Sequence, residues 1–121
     1  MRQTNSVGGQ RVYPGSPGFA DDLRNSREII GQFNDGMDRL RRDRELTANQ
    51  QEYIDSLDAN HPIKRLQQLL TTKSDMLWQY ALEKQNALNQ GLQTGPYTTA
   101  QLGELLIGCA DRWRQLKDNI P

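Results

Sequence analysis

One histidine and one cysteine leave this chain few conventional routes to catalysis. Histidine metal clusters and Ser-His or Cys-His pairs would all rest on His61, whose place before Pro62 suits the start of a helix. Cys109 has no partner for an intrachain disulfide, as in a reducing compartment, and its place in an apolar seam reads as a small buried side chain. Net charge is missing too. With 15 basic and 15 acidic residues, the chain has no overall electrostatic footprint for nucleic acid or an anionic membrane.

Long apolar runs are also lacking. Nothing approaches the roughly 18 residues of a membrane span, and MRQTNSVGGQ at the N-terminus has no apolar signal-peptide core. The expectation is a protein that is not transmembrane, not exported by a standard signal peptide, and located in the cytoplasm or a virion. Neither GxxxxGK(S/T) nor GxGxxG occurs, so no phosphate cradle is expected. Glu52, Asp55 and Asp58 share one side of a short helical stretch, without the second helix bearing Glu-x-x-His that a carboxylate-held metal pair needs. The sequence therefore predicts no catalytic residue, no metal and no cofactor.

What is present is a lean helical pattern. Only 35% of the 121 residues are hydrophobic and 25% are charged, which suits a thin helical assembly or a chain that completes its core with a partner. Residues 1–18 read as an extended arm, because Gly8, Gly9, Pro14, Gly15, Pro17 and Gly18 defeat both helix and strand. Val12-Tyr13 is its apolar pair. Residues 19–121 form the expected helical domain.

The first helix is expected over about 19–45, starting near Ser16-Pro17, with Asp21 and Asp22 in its opening turn and Ile30, Phe33, Met37 and Leu40 at 3-4-3 spacing. Gly31 and Gly36 inside it each cost about 1 kcal/mol relative to alanine. The seam is lost at Arg44, and Thr47-Ala48-Asn49-Gln50 then fits a capping box that restarts a short helix over about 48–57. Pro62 opens the longest helix, about 62–92, with one stripe through Ile63, Leu66, Leu70, Leu77, Ala81, Leu88 and Leu92. Leu69, Met76, Tyr80 and Ala87 make a second stripe beside it. So broad a face needs more than one packing partner, and Gly95-Pro96 is read as its stop.

A second capping box, Thr98-Thr99-Ala100-Gln101, opens a last helix over about 99–118. Leu102, Leu106, Cys109, Trp113, Leu116 and Ile120 keep 4-3-4-3-4 spacing along it. The expected fold is all-α: three main helices and a short one, packed as a bundle or coiled-coil-like, with the long helix between the seams of the first and last.

Arg39, Arg41, Arg42 and Arg44 are the candidate nucleic-acid residues. They form no single stripe, and Asp38, Asp43 and Glu45 are interleaved with them, so a salt-bridged helix end is the plainer reading. LTANQQEYIDSL, residues 46–57, resembles the opening helix of helix-turn-helix modules and of some phage small terminase subunits, which often begin Leu-Thr-x-x-Gln. That resemblance implies a DNA-associated regulator or packaging subunit. It stops where a short turn and recognition helix should follow, because Asn60-His61-Pro62 and a long helix with two apolar stripes stand there instead.

The main expectation is a non-enzymatic structural or adaptor subunit, with a bacteriophage connector, cement or tail-associated protein as its concrete form. Its partners would be further copies of itself or other subunits, with nucleic acid as the alternative and no membrane. The candidate interface residues are Val12 and Tyr13 on the arm, Leu69, Met76 and Tyr80 on the second stripe, and Leu102, Leu106, Trp113, Leu116 and Ile120 on the last helix.

Overall fold

Capping chemistry sets most of the boundaries in the computed structural model, which describes residues 26–92 and 95–121. Four helices occur there and no strand: α1 (Ser26–Asp43), α2 (Ala48–Asp55), α3 (Pro62–Asn89) and α4 (Thr99–Asp118). The arm at 1–18, with Val12 and Tyr13, and the expected first helix start lie outside the described residues.

Both capping boxes form. The Thr47 hydroxyl accepts from the Gln50 amide at 3.1 Å while the Thr47 N–H donates to the Gln50 side chain at 2.9 Å. Thr98 and Gln101 repeat this at 3.0 and 2.9 Å, so two otherwise unpaired donors are satisfied at each start. His61 caps α3 by accepting the Ile63 N–H on Nδ1 at 3.2 Å, with Pro62 in the first turn where a missing N–H does no harm.

The end of α3 differs from the expectation. Helix stops at Asn89 rather than 92, and Gly91, not Gly95, provides the left-handed residue that closes it, at φ 70°. Leu92 N–H reaches the Ala87 carbonyl at 2.8 Å and Gly91 N–H reaches Leu88 at 3.1 Å. This is the Schellman pattern, which terminates a helix without leaving those carbonyls unpaired. Gly95, at φ 87°, shapes the connection into α4 instead.

The packing order also departs from the expectation. The most extensive contact is between α1 and α4, with α3 lying on α4 and touching α1 and α2 less. Gly36 and Gly103 explain why. A β-carbon on Gly36 would sit 3.0 Å from the Leu106 β-carbon and 3.1 Å from the Gly103 carbonyl oxygen, and one on Gly103 would meet the Phe33 backbone at 3.4 Å. The two backbones approach where neither has a side chain. Phe33 meets Gly103, Gly36 meets Leu106 and Ile107, and Arg39 meets Asp111, so α1 and α4 run in the same direction. α3 runs against α4, since Ser74 meets Cys109 and Trp113 while Tyr80 meets Tyr97.

The core gathers Phe33, Leu40, Ile54, Leu70, Leu77, Leu102, Leu106, Trp113 and Leu116, all fully buried. Each such side chain contributes about 1.5–3 kcal/mol when removed from water. In α1, Ile29 is buried and Ile30 is only half-buried, so the inward row starts one residue earlier than the 3-4-3 pattern suggests. Leu46 packs against the core from the α1–α2 connection.

Candidate functional site

Two of the expected interface groups part company in the structure. Leu102, Leu106, Trp113 and Leu116 are buried within the chain, none more than 2% exposed. The expectation that they face a partner is corrected: their regular spacing serves the chain's own contacts with α1 and α3, so they offer no surface to a partner. Ile120 is half-buried against the same core.

The second stripe of α3 divides into a covered half and an open half. Toward its C-terminal end Ala87 is buried, and Tyr80 meets Tyr97 edge to face, ring centres 5.5 Å apart and planes at 85°. Toward its N-terminal end Leu69 is 64% exposed and Met76 46%. A shallow depression beside them is lined by Pro62, Arg65, Leu66, Gln68, Leu69 and Thr72. α2 lies along a neighbouring flank of this segment, held by Gln67 Nε2 to Gln51 Oε1 at 2.8 Å and by Lys64 Nζ to the Leu57 carbonyl at 3.1 Å. These contacts fix the half-turns around Leu69 without covering it.

The arginines are engaged along α1 and its exit. Arg39 reaches across to Asp111 on α4, and Arg44 pairs with Asp75 on α3 at 2.9 Å. Arg41 pairs with Asp38 at 3.1 Å, while Arg42 Nε donates to the Asp38 carbonyl at 3.3 Å. Arg39 and Arg44 therefore tie α1 to the other two long helices, where a phosphate-binding stripe would leave them free. The same pairing is why the apolar rhythm fails at Arg44.

The carboxylates noted in the sequence do not assemble a site. Asp55 accepts from Gln51 at 2.9 Å, and no group of three or more His, Cys, Asp or Glu among the described residues is arranged to hold a metal ion. No helix of the described residues is long and apolar enough to cross a membrane.

One buried polar cluster was not foreseen. Ser74, fully buried in the main stripe of α3, accepts the Trp113 indole N–H at 2.8 Å and lies 3.3 Å from Cys109 Sγ. The signal available in the sequence was a serine between Leu70 and Leu77 on an otherwise apolar row, opposite a tryptophan whose N–H requires an acceptor when buried. With its hydroxyl and thiol enclosed, this cluster positions α3 on α4. The surface chemistry that remains is that of an apolar helix face with charged flanks. No protein family, curated protein or solved structure matches the chain significantly.

Proposed function

We propose that the chain is a non-enzymatic structural or adaptor subunit of a larger protein assembly, engaging its neighbours through the open half of α3. One observation carries this reading: Leu69 and Met76, 64% and 46% exposed, stand on a face whose other half is already covered by Tyr97. Large apolar side chains grouped beside a depression favour contact with another surface. A connector, cement or tail-associated protein of a bacterial virus is the concrete form of this proposal, drawn from the helical architecture and the open apolar face. The DNA-associated alternative has less support, because three of its four arginines already pair with carboxylates.

Site-specific photocrosslinking in the producing cells tests the reading. A photoreactive side chain at position 69 is expected to give a discrete adduct, and one at the exposed Arg112 on α4 serves as control. Equal, diffuse labelling at both positions would overturn the proposal.

A further inference from the structure

The open half of α3 carries its apolar and charged residues in an order that suits a copy of itself. Building on the assembly reading above, we propose that its occupant is the same face of a second copy of the chain, packed antiparallel across a two-fold axis midway between Leu69 and Met76.

Leu69 and Met76 are seven residues apart, nearly two helical turns, so they project from one side of α3. Reversing one α3 against another sets Leu69 over Met76 of the second copy, and the symmetry repeats the contact. The depression bordered by Pro62, Arg65, Leu66 and Thr72 lies beside Leu69 and can seat an unbranched thioether.

Charge selects the orientation. Arg65 and Glu83 are 18 residues apart, five full turns, so they stand on the same flank near opposite ends of the face. Both are exposed, and neither forms an ion pair with another described residue. In the antiparallel register Arg65 comes within three residues of position 83 of the second copy, about 4.5 Å along the axis and within reach of a flexible guanidinium. A parallel pair would set arginine beside arginine and glutamate beside glutamate. Half-exposed Lys73 flanks the axis on the other side, where it opposes its own copy.

The contact is small. The face from Pro62 to Glu83 is about 32 Å long at 1.5 Å per residue. At about 10 Å across, two such faces bury well under the roughly 1,200 Å² of a standard stable interface. In dilute solution the pair is weak; within an assembly, other contacts raise the effective concentration at which the faces meet.

Sedimentation equilibrium of the full chain between about 10 µM and about 1 mM provides the test. The expected result is a reversible monomer–dimer equilibrium whose Kd rises about tenfold or more with Leu69→Gln. Arg65→Glu or Glu83→Arg alone weakens it, the combined R65E/E83R exchange restores it, and Lys73→Gln tightens it. Circular dichroism of each variant verifies that the helices are retained. A monomer at every concentration overturns the inference, as does a dimer indifferent to Leu69→Gln or one the charge exchange fails to restore. If the chain stays monomeric but crosslinks at position 69 to a species of another mass, the second-copy inference fails and the assembly reading stands. Absence of any discrete adduct removes both.

Discussion

The α1–α4 seam and the α3 surface use helical periodicity to opposite ends. Along the seam, Gly36 and Gly103 bring backbones together, and Phe33 and Leu106 beside them have no exposed area. On α3, one stripe is buried by the same core while Leu69 and Met76 stay open. Apolar spacing thus identifies which residues share a face, but the presence or absence of a neighbouring backbone decides whether the face is core or surface.

The largest effect is expected where α3 and α4 join. Trp113→Ala removes a fully buried indole and the donor to Ser74, and should lower stability by about 3–5 kcal/mol in urea denaturation. Because Trp113 meets α3 through Ser74, a loss below about 1 kcal/mol would mean that α3 contributes little to the core, and the contrast between its two faces would lose its basis.

The seam itself is tested by two glycines of one helix. Gly36→Ala gains about 1 kcal/mol of helix propensity, yet its methyl group would meet the Leu106 β-carbon at 3.0 Å and a backbone carbonyl oxygen at 3.1 Å. Neither can rotate away, so a net destabilisation of about 1–3 kcal/mol is expected. Gly31 has open space within 4 Å of the same position, and Gly31→Ala should stabilise by about 0.5–1 kcal/mol. The opposite signs are the result to look for in paired thermal melts. Two stabilised variants would show that α1 and α4 do not approach so closely.

This pair also marks the limit of the sequence. The all-α fold, both capping boxes, the Pro62 helix start and the last helix at 99–118 follow from local chemistry, and each appears where its residues place it. Gly31 and Gly36 look alike in one dimension because the second β-carbon is excluded by a helix some 70 residues away. Separation along the chain, 72 residues for Arg39 and 31 for Arg44, hid the partners of these arginines, and it let an α4 seam that packs within the chain be offered as an interface. Leu69 and Met76 were legible because an excess of apolar surface on one long helix can be read along that helix alone.

An effect of the same order as that of Gly36→Ala is expected at Ser74. Its hydroxyl is the acceptor for the buried Trp113 N–H, so Ser74→Ala leaves that donor unpaired and should cost about 1–3 kcal/mol. If the variant is as stable as the parent, α3 and α4 are aligned by apolar packing alone. Intrinsic fluorescence, which reports the surroundings of Trp113 as well as of Trp78, gives a second measure of the change.

The smallest change in stability is expected at the residue with the largest proposed role. Leu69 and Leu70 are neighbours in sequence, about 100° apart around α3, with 64% and 2% of their surfaces exposed. Leu70→Ala removes core packing and should cost about 2–5 kcal/mol. Leu69→Gln exchanges one good helix former for another at an exposed position, so urea denaturation at low protein concentration should change by no more than about 0.5 kcal/mol. At high concentration the parent should gain stability that the variant lacks, because a folded pair that exists only between native chains shifts unfolding by mass action. A large loss for Leu69→Gln in dilute solution would place Leu69 in the folding core. Unchanged stability together with lost concentration dependence would locate the contact between copies on the side of α3 that this chain leaves open.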